Sequence, residues 1–96
     1  MPKTHELTGK IISKEPRKVY KKNGFYGQIN YKLKVLREEK NPQEYETILV
    51  YSNLVSKQIL KILEQNQYID KRYFFTYQKT TNGLVLQEWK ELENHD

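Results

Sequence analysis

Apolar and polar residues alternate with a period of two along most of this chain, the pattern of half-buried strands. The clearest run is Gly27 to Leu36, where Ile29, Tyr31, Leu33 and Val35 point one way and Gln28, Asn30, Lys32 and Lys34 the other. A weaker strand precedes it: β character opens at Leu7 to Ile12 and continues through Val19-Tyr20, with Pro16 between them. Proline cannot donate to a ladder, so Pro16 predicts an edge or a bulge. Lys21-Lys22-Asn23-Gly24 then reads as a tight hairpin, because Asn and Gly tolerate the positive φ of a type I′ turn. After the polar stretch Arg37 to Gln43, Tyr45 to Tyr51 predicts a third strand. It carries Tyr45, Thr47, Leu49 and Tyr51 on one face and Ile48 and Val50 on the other. From Leu54 to about Gln65 the period lengthens, with Val55, Ile59, Ile62 and Leu63 at helical spacing. Ser52-Asn53 offers a cap for this helix, and Ser56 is a second candidate. Lys71 to Gln78 and Leu84 to Leu92 are two further strands, joined by a turn at Thr80-Thr81-Asn82-Gly83.

Three strands, one short helix and two strands is the order of the OB-fold. The expected fold is therefore all-β: a five-stranded Greek-key barrel with its helix between strands 3 and 4. The 96 residues make a single domain, with a core from about 6 to 92 and short polar termini. No apolar run approaches the roughly 20 residues of a spanning helix. The first residues lack the apolar stretch of a secretory signal, so a secreted or membrane protein is not expected. With no Cys, disulfides and thiolate chemistry are ruled out.

Charge changes the picture more than size does. The net charge is +5, but residues 1–40 hold eleven basic and four acidic side chains, while residues 41–96 hold six basic and eight acidic. The densest stretch runs through Lys10, Lys14, Arg17, Lys18, Lys21 and Lys22 against Glu15. Such a strip suits a polyanion and also suits a merely solvated face. Lys outnumbers Arg 14 to 3 and Ala is absent, a bias toward A/T-rich codons that points to an organellar or A/T-biased bacterial genome.

In detail, the sequence resembles the bacterial and organellar single-stranded-DNA-binding protein family. The likeness lies in Leu7-Thr8-Gly9-Lys10-Ile11-Ile12, Glu15-Pro16, Asn23-Gly24, Gln28 to Leu33, Glu44 to Tyr51 and the helix position, over roughly residues 6 to 90. It is similar above all to the short members encoded in algal plastid genomes. The family pattern has one residue fewer between Gly9 and Pro16, and commonly a Gly after the helix where this chain has Asn66-Gln67. The long linker and acidic tail that recruit replication proteins have no counterpart before Asp96, so tail-mediated recruitment is not expected. In size the chain is closer to the family's primosomal relatives, which are bare OB domains. The resemblance implies binding of single-stranded DNA in replication or maintenance, in a homodimer or homotetramer. It implies a plastid stroma if the chain is organelle-encoded and the cytoplasm otherwise.

A single strand is held by cations along its phosphates and flat rings against its bases. By resemblance Tyr45 and Tyr51 take the stacking roles of the third strand, and Tyr77 and Phe25, beside the two hairpins, are further candidates. Lys10, Arg17, Lys18, Lys21, Lys22, Lys32 and Lys34 are the candidate phosphate contacts. Phe74, Phe75 and Trp89 are read as core or subunit interface. His5 and His95 stand at opposite ends with no metal-ligand spacing, and no Ser lies in a nucleophile elbow, so no metal, cofactor or catalysis is expected. Two binding classes stay open on the residues alone: a sequence-tolerant single-strand binder, and an OB module serving as a protein-interaction subunit. DNA and RNA are not separated by residue type, because readout of the 2′-OH depends on local geometry.

Overall fold

The structure, a computed structural model, describes residues 3–21, 24–38, 40 and 42–93, with the backbone alone for residues 20–21 and 24–27. Five strands and one helix follow the expected order: β1 (Thr4–Lys21), β2 (Gly24–Arg37), β3 (Glu44–Val50), α1 (Lys57–Glu64), β4 (Arg72–Thr80) and β5 (Gly83–Leu92). The strands close into a barrel in the order β1-β2-β3-β5-β4, the OB arrangement. Every link is antiparallel except the short β3–β5 one, where Ile48 pairs with Leu84 and Leu49 with Val85.

β1 makes closure possible by serving two neighbours. Thr4 to Gly9 pair with β4, and Gly9 onward pairs with β2. The crossing point has no room for a side chain: a Cβ on Gly9 would collide with the Leu36 carbonyl and reach Val35 Cγ1 at 3.0 Å. Beyond Gly9 the strand's other edge is open, and Pro16 sits there opposite Tyr31, as an edge proline should. The ladder slips between Ile11 and Ser13, leaving Ile12 as a bulge.

The alternation of β2 and β3 is realised as predicted. Leu33, Val35, Ile48 and Val50 are sealed from solvent, while Lys34, Tyr45 and Thr47 are exposed. β4 sends Tyr73, Phe75 and Tyr77 inward. On β5, Leu86 and Trp89 both join this core although three residues apart, because the register slips opposite Thr76/Tyr77 and leaves Gln87 as an extra residue. Tyr73 and Trp89 pack with ring centroids 4.6 Å apart, and Ile59 and Leu63 of α1 plug the end of the core.

The helix begins later than the pattern from Leu54 suggests. Ser56 is extended (φ −68°, ψ 156°), and its Oγ accepts from Ile59 N–H at 3.3 Å, so the second candidate is the cap. Leu54 is left 60% exposed in the connecting turn. At the far end Asn66 takes the left-handed conformation (φ 55°). Asn66 N–H donates to Leu63 O at 3.3 Å and Gln67 N–H to Ile62 O at 2.9 Å. This is the Schellman ending usually built on glycine, with Asn in its place. No helix among the described residues is long and apolar enough to cross a membrane.

Candidate nucleic-acid interface

The outer face of β1, β2 and β3 gathers most of the predicted contacts, and register says how. Residues paired across antiparallel strands share a face. Lys10 pairs with Leu36 and Leu36 with Tyr45; Ser13 with Lys34 and Lys34 with Thr47; Glu15 with Lys32 and Lys32 with Leu49. Arg17 pairs with Asn30 in the next row. The Ile12 bulge allows this, since it keeps both Lys10 and Ser13 on the outer side.

At one end of the face, as the second residue of β3, is Tyr45. The residue is 56% exposed, and Lys34 Nζ stands 4.6 Å from its ring centroid. A cation over a tyrosine face is attracted by the ring quadrupole. Lys10 lies in the same row two strands away, across Leu36, so a second cation shares the face on the β1 side of the ring. Tyr51 is half-buried at the other end of β3, where Ser52 N–H donates to Asn30 Oδ1 at 2.9 Å and fixes the strand end. Glu15 partly offsets the cations: it faces Lys32 and meets Arg17 at 3.9 Å. Both partners of that ion pair are well exposed, so it holds neither tightly.

The face is grooved rather than flat. One hollow of about 190 Å³ is lined by Ser13, Glu15, Lys32, Lys34 and Thr47. A larger one, about 410 Å³, runs from Arg17 and Lys32 past Leu49 to Asn82, Gly83 and Leu84. The β4–β5 turn thus overhangs the face, with Gly83 (φ 125°) against Leu49. Sequence reasoning found that turn but not its place. The placement depends on the parallel β3–β5 contact, which no local pattern announces.

Other predicted contacts lie elsewhere. Tyr77 is only 5% exposed and its ring stacks on His5 at 5.6 Å, so it is a core residue here and offers no open face to a base. Its inward place follows from the alternation of β4 with Tyr73 and Phe75. Lys18 pairs with Ile29 and so leaves the strand on the side opposite Lys32 and Lys34. Lys22, and the side chains of Lys21 and Phe25, lie outside the described residues.

Lys14, the remaining member of the basic strip, serves the fold. Its Nζ donates to Leu63 O at 2.6 Å and to Asn66 Oδ1 at 2.8 Å, and it lies 5.7 Å and 5.8 Å from the Tyr31 and Tyr68 ring centroids. A cation at the carbonyl end of a helix is favourable. Burial, and secondarily the Glu64 charge, pushes the Tyr31 phenol above its usual range. Across the barrel, Arg72 grips Glu38 through Nε at 2.9 and 2.8 Å and Nη2 at 2.7 Å, and Arg37 meets Glu46 at 3.2 Å. These two arginines brace the sheet through carboxylates. Among the described residues no cluster of three metal-ligating side chains occurs.

Fold and site together describe an OB barrel with a cationic, tyrosine-bearing outer face. No protein-family profile and no curated protein sequence matches the chain. Among solved structures it is similar to the mitochondrial single-stranded DNA-binding protein Rim1 of S. cerevisiae. The TM-score is 0.65 at 15% identity, over 99% of each chain. At that identity the likeness is one of fold.

Proposed function

We propose that this chain binds single-stranded nucleic acid on the outer face of β1–β3, without strong sequence preference and without catalysis. The observation that carries this reading is the exposed Tyr45 with the Lys34 ammonium 4.6 Å from its ring centroid, on a face shared by Lys10, Lys32 and Arg17: an aromatic platform beside a row of cations. A strand would lay bases on Tyr45 and Tyr51 and run its phosphates past Lys10, Lys34, Lys32 and Arg17. Lys21, Lys22 and Phe25 remain expected contacts by resemblance alone. DNA is the expected strand, since the similar fold over the whole length is that of a DNA-binding protein. The expected setting is replication or maintenance of an A/T-rich genome, such as a plastid's. A homo-oligomer is expected because the open β1 edge beyond Gly9, with Ile12 49% exposed on it, calls for cover.

The test is affinity for a poly-pyrimidine oligonucleotide, single-stranded and as duplex, across a salt series. Neutralising four to six phosphates gives a slope of log K against log salt of roughly −3 to −4, with duplex bound more weakly. Equal affinity for duplex, or no binding at low salt, would turn the reading toward a protein-interaction module.

A further inference from the structure

The ladder between β2 and β3 ends at Tyr31 and Val50, so Tyr51, the second stacking candidate of β3, lies one residue beyond backbone pairing. A residue just past a strand end is ordinarily free to fray. Here the peptide group that joins Tyr51 to Ser52 is held at both ends. Its carbonyl, on Tyr51, accepts from Leu54 N–H at 2.9 Å, and its N–H, on Ser52, donates to Asn30 Oδ1 at 2.9 Å. A peptide group is planar, so bonds at its two ends fix its orientation, and with it the ψ angle of Tyr51. The Asn30 side chain therefore takes over where the backbone of β2 stops pairing with β3. Asn30 also interrupts a pattern. The outward positions of β2 run Gln28, Asn30, Lys32 and Lys34, and Asn30 pairs with Arg17 on the β1 side. A lysine at this position would add a cation for phosphates, but an ammonium has three donors and no acceptor and could not hold the Ser52 N–H.

We infer that Asn30 is a positioning residue for nucleic-acid binding, acting through Tyr51 rather than by touching the strand. This role rests on the outer-face reading under Proposed function and adds to it a residue that is neither aromatic nor charged. The Asn30 carbonyl oxygen is committed to Ser52, and what it holds still is the backbone from which the Tyr51 ring projects. A ring already held in place loses little freedom on meeting a base, and preorganisation of this kind appears as affinity.

The test is a double-mutant cycle on the full chain, with single-stranded oligothymidylate as the probe and the melting temperature of each variant measured beside its affinity. Tyr51→Ala should weaken binding about tenfold, the loss of one stacked base. Asn30→Ala should weaken it about fivefold, what one hydrogen bond is worth, at unchanged salt slope because no charge is lost. In a Tyr51→Ala background the Asn30→Ala loss should vanish, whereas in a Tyr45→Ala background it should persist in full. Asn30→Asp keeps the shape and the acceptor, so Tyr51→Ala should still cost about tenfold there, an arm that stands even if Asn30→Ala does not fold. A loss that survives removal of Tyr51 would overturn the inference, making Asn30 a contact in its own right. So would an Asn30→Ala protein that melts earlier yet binds with unchanged affinity, or a Tyr51→Ala protein that binds normally. In that last case Tyr45→Ala separates the two readings: if it weakens binding, only the role of Asn30 falls, and if it does not, the outer-face reading falls with it.

Discussion

Lys14 Nζ donates to Asn66 Oδ1 at 2.8 Å, tying the first strand to the left-handed residue that ends α1. The same ammonium donates to the Leu63 carbonyl at 2.6 Å, a second donor to an oxygen that the Asn66 N–H already reaches at 3.3 Å. A lysine from the densest basic stretch is thus a helix cap. Lys14→Met should cost about 1–2 kcal/mol of folding stability, lowering the melting temperature by about 5–15 °C. The salt slope of nucleic-acid binding should not move. A flattened slope in the folded variant would instead place Lys14 on a phosphate.

Tyr45 and the lysines beside it separate stacking from charge. Because Tyr45 is exposed, Tyr45→Ala should leave the melting temperature within a few degrees while weakening single-strand binding by about 1–3 kcal/mol at unchanged salt slope. Lys32→Ala with Lys34→Ala should do the reverse, flattening the slope by about 1.4 and sparing base preference. Titrations of all three proteins at several salt concentrations distinguish the two patterns.

Gly9 is where β1 changes partner, and an added methyl there meets the backbone carbonyl of Leu36. A flexible side chain could yield; a carbonyl inside a ladder cannot without shifting the strand. Gly9→Ala should therefore destabilise the barrel by about 3 kcal/mol or more, read as a lower urea midpoint.

Alkaline pH should weaken the fold through Tyr73. Its phenol is raised from 10.0 to about 12 in the folded chain, so folding favours the protonated form. That contribution is complete below pH 10 and is lost as pH rises through 12, about 2–3 kcal/mol in all. Tyr31, raised in the same direction, adds to the loss. Tyr73→Phe should flatten the pH dependence of the urea midpoint over this range, leaving the smaller Tyr31 share.

The strands themselves were legible because each carries its own evidence. Period-two alternation in β2 and β3 names the buried residues directly, and one face of Tyr45, Thr47 and Leu49 turned outward follows from Ile48 and Val50 turning in. Helix position was legible too, although its start was not. Ser52-Asn53 and Ser56 are equally good caps on paper, and only the extended backbone at Ser56 selects between them. The site was legible in part. Tyr45, Lys32 and Lys34 could be placed on one side of their strands from sequence, whereas Tyr77 reads as a hairpin aromatic until β4 is seen to send it into the core.

What the sequence determined by itself is therefore everything with a local cause: which segments extend, which turn, which faces are apolar, and that positive charge concentrates before residue 41. What only the tertiary structure decided is which charges share a surface. A slip of one residue at Ile12 put Lys10 and Ser13 on the same side. Pairing then put Lys10 and Lys34 on the same face as Tyr45, while simple alternation sent Lys14 to a helix end and Lys18 to the opposite face. Strand register is fixed by contacts between segments far apart in the chain, and since side chains alternate with every residue, one bulge reverses which of them meet a partner and which meet the core.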